Sequence, residues 1–284
     1  PGQLSMKFGA AWPAPAKLNL MLRVVGRRAD GYHLLQTVFQ FTDLCDQLHF
    51  NVRGDGAVVR SNEVVGVPPD DDLVVRAARL LQQKAGCKQG VEIRVEKHIP
   101  MGGGLGGGSS DAATTLVALN RLWGCGLEEA RLQQLGLQLG ADVPIFVHGH
   151  AAWAEGVGDE FREIEPDTPV YLLLSPPVHV DTGQVFRDPE LTRNSHRITI
   201  RDFLAGEQGN DCLAVVSKRY PAVRQVYDWL DKKADARLTG TGACVFAPCA
   251  SRDEAEALLA DRPEGVAGFV VRGLNRSPLL AALE

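Results

Sequence analysis

Pro100-Met-Gly-Gly-Gly-Leu-Gly-Gly-Gly-Ser-Ser-Asp111 carries the loudest signal in the chain: six of its 30 glycines fall between residues 102 and 108. A run with almost no side chains frees backbone N–H groups to converge on an anion. A helix is expected directly after it, with Ala112, Leu116, Leu119 and Trp123 on one face and Ser109 or Ser110 as N-cap. The start of such a helix adds a partial positive charge of about half a unit. The segment reads as a phosphate cradle, where the structural alternative is a flexible strand-to-helix turn. A P-loop is excluded, because counting from Gly103 its lysine position holds Ser109. Gly102, Gly104 and Gly107 do satisfy the dinucleotide fingerprint. The acidic residues about 20 positions on, Glu128 and Glu129, open a second helix rather than end a strand, which argues against a nicotinamide or flavin oxidoreductase.

Outward from the loop the chain alternates strands and helices. Upstream, 91–95 reads as a half-buried strand and 73–85 as a helix stopped by Gly86. Residues 18–25 read as a strand, Gly26 to His33 as a turn-rich loop, and 34–60 as two or three strands with turn signals at 43–46 and 54–56. Downstream, Leu132, Leu135 and Leu139 define a helix that stops at Gly140; Ala141-Asp-Val-Pro144 follows, and 145–164 look like strands. Glu165-Pro-Asp-Thr-Pro169 is polar and proline-bearing, and marks a boundary between lobes 1–165 and 166–284. The second lobe opens with strand 170–174 and continues mostly helical to Leu238-Thr-Gly-Thr-Gly-Ala-Cys-Val-Phe246. A helix near 252–261 and a strand near 267–271 close it. The class is α+β.

The 284 residues carry a formal net charge of -5, with 45% hydrophobic and 23% charged residues, so wholesale disorder is excluded. No apolar run approaches the roughly 20 residues of a membrane span. Mild acidity argues against a broad nucleic-acid-binding face and leaves room for a local anion pocket. The six cysteines, at 45, 87, 125, 212, 244 and 249, form no Cys-x-x-Cys pair and fit a reducing cytosol. No secretory leader is expected. Residues 1–5 precede Met6 and are set aside as an expression remnant. The expectation is a cytoplasmic protein with no nucleic-acid or membrane partner. Oligomeric state is not legible.

Pro100 to Ala113 resembles the phosphate loop of the galactokinase, homoserine kinase, mevalonate kinase and phosphomevalonate kinase superfamily, the GHMP kinases. Pro15-Ala-Lys-Leu-Asn-Leu20, Arg28-Ala-Asp-Gly-Tyr-His-Leu-Leu-Gln-Thr37, Leu139-Gly-Ala-Asp-Val-Pro144 and Leu238-Thr-Gly-Thr-Gly-Ala-Cys244 accompany it. Together they narrow the resemblance to the branch that phosphorylates a cytidine diphosphate-linked methylerythritol, over nearly the whole chain from Trp12. Homoserine- or mevalonate-type kinases are the nearest alternative, and Ala29-Asp-Gly-Tyr-His33 is not expected in them.

The resemblance implies a two-lobed α+β fold. Its N-terminal, ATP-binding lobe resembles ribosomal S5 domain 2, its C-terminal lobe is ferredoxin-like, and the acceptor site lies in the cleft between. It implies ATP and Mg2+, a small-molecule substrate, and transfer to a 2-hydroxyl in non-mevalonate isoprenoid synthesis. Carried over by motif, Lys17 and Asp142 match the catalytic lysine and aspartate. Lys97, Pro100, Gly102, Gly103, Gly104, Leu105, Gly106, Gly107, Gly108, Ser109 and Ser110 match the ATP side, with Ser109 as a Mg2+ ligand. Asn19, Tyr32, His33 and Asp142 match residues around the acceptor and cytosine. Phe186, in Val185-Phe-Arg-Asp-Pro189, matches a second aromatic against the base. Gly240, Thr241 and Gly242 close over the acceptor or its phosphate, where residue pattern alone equally gives a strand-entry turn. Asp72-Leu73 departs from the Asn-Leu often found near the adenine.

Read without the resemblance, these residues are ordinary. Asp142 is a turn aspartate and Lys17 snorkels from a strand start. With it, Asp142 is the general base for a crowded tertiary alcohol, a role worth about 10²- to 10⁴-fold. Tyr32 follows Asp30-Gly31 in a turn, which suits a binding role better than a core one. His148 and His150 share one side of an expected strand, lack further ligands for zinc, and read as structural.

Overall fold

The computed structural model describes residues 9–284; the segment ahead of Met6 lies outside them. Two long strands, β1 (Trp12–Arg27) and β2 (His33–Arg53), pair antiparallel with Lys17 opposite Phe41, Asn19 opposite Phe39 and Leu22 opposite Thr37. Bulges interrupt the pairing between Pro15 and Lys17, Asn19 and Met21, and Val24 and Gly26. The turn signal at 43–46 does not break β2: Asp46 points its carboxylate inward and the strand runs on. Short β3 (Val58–Arg60) lies parallel to the later strand at 90–96.

Helix α1 (Leu73–Ala85) has the bounds that its sequence signals. Asp72 accepts from Val74 N at its start, and Gly86 ends it in the left-handed region at φ 64. Strand β4 (Gly90–Glu96) pairs with β2. Helix α2 (Gly107–Leu122) is buried on nearly every side from Ser110 to Leu119. Its Ala112, Ala113 and Ala118 suit that position, since small side chains allow close approach to α1 and the sheet. Helix α3 (Glu129–Leu139) follows, then α4 (Val143–His148).

The expected strands at 145–164 are thus corrected: residues 143–148 are helical, and strands β5 (Ala152–Glu155) and β6 (Glu160–Glu163) occupy only part of the remainder. Pro144 suits the first turn of α4, where its missing N–H costs nothing. His148 ends that helix rather than lying in a strand. Its Nδ1 is 3.0 Å from Glu129 Oε1 and its ring stacks on Phe161 at 5.4 Å.

The second half begins with β7 (Val170–Ser175). Helices α5 (Thr182–Arg187) and α6 (Ile200–Leu204), strand β8 (Gly209–Asn210), and helices α7 (Leu213–Arg219) and α8 (Pro221–Asp231) follow. Then come β9 (Arg237–Leu238), β10 (Val245–Cys249), α9 (Arg252–Ala260), β11 (Ala267–Leu274) and α10 (Pro278–Ala281). β11, β7, β10 and β9 form an antiparallel sheet in that order, and β11 also pairs with β2.

Strand alternation decides what each face covers. Leu172 and Leu174 of β7 pack with Val226 and Leu230 of α8 and Ala255 of α9. Tyr171 and Leu173, on the opposite face, pack with Leu18, Met21 and Val38 of the first half. One buried strand therefore joins the two halves. Residues 275–284 return to the first half: Ala151 N donates to Asn275 O at 2.8 Å, and Leu279 sits in the core with Phe146. Among the described residues, no helix is long and apolar enough to cross a membrane.

Candidate active site

The two glycine motifs, about 135 residues apart, lie against each other. Cys244 N donates to Gly103 O at 3.0 Å, and Thr239 Oγ1 donates to Gly104 O at 3.3 Å. Lys17 N donates to Leu105 O at 3.0 Å, which adds β1 to the same junction. Gly104 is required twice over: its φ is 78°, and a Cβ there would lie 2.4 Å from Thr239 O. Gly106, at φ 71°, would drive a Cβ to 2.7 Å from the Phe146 ring.

Helix α2 starts earlier than expected. Gly106 is its N-cap, with no side-chain cap bond, so the expected capping by Ser109 or Ser110 is corrected. Glycine in the left-handed region lets the helix begin inside the motif, and Ser110 is turned into the protein with its hydroxyl unpartnered. The first-turn N–H groups, normally satisfied by a cap, are left for an anion. A cavity of about 370 Å³ opens over them. Val64, Val67, Leu73 and Val95 line its apolar end, and Lys97 with the 100–109 loop lines its polar end. An apolar slot ending in a helix N-terminus fits a purine nucleotide with its phosphates on the loop.

Lys97 sits between two buried carboxylates, 2.5 Å from Asp46 Oδ2 and 2.7 Å from Asp111 Oδ2. Burial works against its charge, but Asp111 and Asp46 outweigh burial and hold the ammonium protonated. Burial pushes the Asp111 carboxyl well up, with Lys97 opposing. Asp46 Oδ1 also accepts from His98 N and Ile99 N, at 2.5 and 2.8 Å, fixing the chain that leads into the glycine loop. At the apolar end, Asp72 both caps α1 and pairs with the buried guanidinium of Arg60, whose other arm donates to Val67 O at 2.8 Å. A carboxylate in place of an amide at 72 is thus matched by a cation.

A second polar cluster is built on β1. Lys17 Nζ lies 3.4 Å from Asp142 Oδ2; the lysine is 3% exposed and the aspartate 42%. Asp142 occupies the N-cap position of α4 without capping it, so its carboxylate is free to face the cleft. Lys17 Nζ also donates to Asn19 Oδ1 at 2.5 Å and lies 5.6 Å from the Phe39 ring centroid. Asn19 Nδ2 donates to Thr37 Oγ1 at 2.9 Å, and Asn19 N to Thr239 Oγ1 at 3.0 Å. Thr241 and Thr182 share a hydroxyl hydrogen bond of 2.8 Å, and Asn210 Nδ2 holds the carbonyls of Leu238 and Gly240.

His33 and Phe186 come together from 153 positions apart, with ring centroids at 5.1 Å. Arg193 Nε donates to His33 Nε2 at 3.1 Å, and its other nitrogens hold the carbonyls of Phe186, Asp188 and Leu191. Burial first, then Arg193 and Arg27, push the His33 pKa below its usual value. Tyr32 stands apart, its side chain 64% exposed at the turn. Ser109, half-buried in the first α2 turn, has its hydroxyl close to Gly140, two residues before Asp142.

Sequence reasoning missed Asp46, Arg60, Thr37, Thr239 and Arg193. Asp111 and Thr239 lie inside quoted motifs, which was a usable signal. Thr37 likewise closes a quoted motif and Asp46 lies in the 43–46 turn signal, whereas Arg60 and Arg193 act through partners 12 and 160 positions away and no local pattern announces them.

Residues 72–150 match the family described as GHMP kinases N terminal domain, and residues 191–265 match GHMP kinases C terminal. The chain is similar to the 4-diphosphocytidyl-2-C-methyl-D-erythritol kinase of Nitrosococcus oceani, 55% identical over 96% of this chain and 98% of that one. It is 54% identical to the protein of the same name from Dechloromonas aromatica, over 94% and 98% of the two chains. The crystal structure of a 4-(cytidine 5'-diphospho)-2C-methyl-D-erythritol kinase superposes with a TM-score of 0.78 at 31% identity, over 93% of this chain and 99% of the other. A mevalonate kinase superposes at 0.71 with 16% identity, over 94% and 100% of the chains, and shares the fold.

Proposed function

The chain belongs to the GHMP kinase family, in its 4-diphosphocytidyl-2-C-methyl-D-erythritol kinase branch, and we propose that it runs that branch's reaction with Asp142 as general base and Lys17 as its charged partner. It is an ATP-dependent small-molecule kinase of the non-mevalonate isoprenoid route, acting on 4-diphosphocytidyl-2-C-methyl-D-erythritol. The group phosphorylated is its 2-hydroxyl.

One observation carries the residue roles: a buried lysine stands 3.4 Å behind a half-exposed aspartate, beside the glycine loop. Phosphoryl transfer asks the protein for positioning and charge stabilisation rather than covalent chemistry. ATP, when bound, supplies the phosphoryl group. The uncapped α2 start and the 102–108 loop hold its phosphates, and Val64, Val67, Leu73 and Val95 take the base. Asp142 accepts the proton of the acceptor hydroxyl. Lys17 orients that carboxylate and offsets the negative charge that develops on the oxygen.

His33 and Phe186 form one wall for the cytosine, and exposed Tyr32 closes on it from the other side. Gly240, Thr241 and Gly242 face the acceptor from the second lobe. The Ser109 hydroxyl is the proposed protein ligand of Mg2+; Ser110 is unsuited, being turned inward. The lobe division at 165/166 and a cytoplasmic location belong to the same proposal. All six cysteines are free, which agrees with a reducing compartment.

ADP release with magnesium and ATP tests the reading, with the cytidylyl substrate beside homoserine and mevalonate. Turnover with the cytidylyl compound alone is expected. Turnover with either control instead would keep the kinase and overturn the substrate.

A further inference from the structure

We propose that Thr37 is a positioning residue for the phosphoryl transfer, holding Lys17 against Asp142 through the side-chain amide of Asn19. The proposal rests on the roles just given to Lys17 and Asp142.

Three hydrogen bonds in series have only one possible direction. Met21 O is a carbonyl and can only accept, so the proton of the Thr37 hydroxyl, 2.5 Å away, points at it. Thr37 Oγ1 can then face Asn19 only as an acceptor, and Asn19 Nδ2 donates to it at 2.9 Å. The amide orientation follows: Asn19 Oδ1 is left facing Lys17 Nζ at 2.5 Å. An ammonium has three donors and no acceptor, so the flipped amide would set N–H against N–H. Lys17, Asn19 and Thr37 are 3%, 4% and 1% exposed, so water does not substitute for any link.

The backbone is arranged for this. Thr37 pairs with Leu22, and a bulge between Asn19 and Met21 disturbs the ladder where the hydroxyl reaches Met21 O. The hydroxyl of Thr239 meanwhile accepts from Asn19 N and donates to Gly104 O, which ties the same residue to the phosphate loop. Asn19 is thus held at both its backbone and its side chain, and Lys17 inherits its position from those anchors.

Thr37→Val keeps the shape and removes the hydroxyl; Thr37→Ala does so with less volume; Thr37→Ser keeps it. With magnesium, ATP and the cytidylyl substrate, Val and Ala variants are expected to lose at least tenfold in kcat while KM for ATP stays within about twofold. The Ser variant is expected to recover most of kcat. A merely structural role would lower the melting temperature and leave the kcat of the folded fraction unchanged. Normal kcat in the folded Val or Ala variant, or a Ser variant as slow as Ala, overturns the proposal. Asp142→Asn in the same assay separates the two readings. If it too keeps normal kcat, the general-base assignment has failed; if it is inactive while Thr37→Val is normal, only the role of Thr37 has failed.

Discussion

Arg193 Nε donates to His33 Nε2 across 3.1 Å. A guanidinium has no acceptor, so Nε2 must offer its lone pair and the imidazole proton sits on Nδ1. Because Arg193 also holds the carbonyl of Phe186, one side chain sets both the tautomer of His33 and the place of its ring partner. Arg193→Met is expected to raise KM for the cytidylyl substrate about tenfold, with KM for ATP unchanged. Calorimetric titration with CDP checks it: undiminished CDP affinity in the variant would end the idea.

The same contact has a pH signature. The folded pKa of His33 is lowered, by burial first and then by Arg193 and Arg27. The unfolded chain therefore binds this proton more readily than the folded one, and the contribution to stability is lost as pH falls through the unfolded value near 6.5. Melting temperatures of wild type and His33→Gln are expected to diverge between pH 7.5 and about 5.5, with wild type losing more. Parallel pH curves would show that His33 does not carry the effect.

Asp142→Asn and Lys17→Ala are each expected to cut turnover at least about a hundredfold, in the range of a lost general base. The pair is open to solvent on the Asp142 side, so Asp142→Asn should leave the melting temperature nearly intact. Near-normal turnover in either variant removes that residue from the chemistry.

Gly104→Ala places a methyl 2.4 Å from Thr239 O at a φ of 78°. Backbone strain of about 1–3 kcal/mol is expected, together with separation of the two glycine motifs. The variant should melt lower and gain no thermal protection from ATP. Full ATP protection would mean that the loop tolerates a side chain and the cradle lies elsewhere.

Arg60→Met strands the Asp72 carboxylate, buried at the mouth of the apolar slot, without its cation. Breaking such a pair costs about 3–5 kcal/mol, whereas removing both charges costs far less. Urea unfolding of Arg60→Met, Asp72→Asn and the double variant checks this. The double variant should be more stable than Arg60→Met alone, and additive losses would contradict the coupling.

Local signals survived folding where local physics decides. The bounds of α1 follow from Asp72 and Gly86, and the glycine motif does open a helix. They failed where an element is too short for periodicity to choose. Ile145-Phe-Val-His148 is mostly apolar and partly β-branched, so it looks like the start of a strand, yet it belongs to a helix of six residues with Pro144 in its first turn and Gly149 as its C-cap. The turn signal at Asp46 misled because its polarity serves a buried pairing with Lys97, not solvent. Lys17 and Asp142 were singled out through motif resemblance, since nothing local distinguishes them, and the fold brings them to 3.4 Å. Thr37 and Thr239 show their purpose only once β2 is laid beside β1 and the 238–244 segment, 220 positions away, is brought against Asn19.

The return of residues 275–284 to the first half bears on biosynthesis. These residues leave the ribosome after everything they pack against, yet Leu279 fills the same core as Phe146, and Ser277 N closes on Gly149 O at 2.8 Å. The half of the molecule that is translated first is therefore the half completed last. A nascent chain carries the phosphate loop and Asp142 on an unfinished core until residues 275–284 dock, and during that interval part of that core's apolar surface stays uncovered.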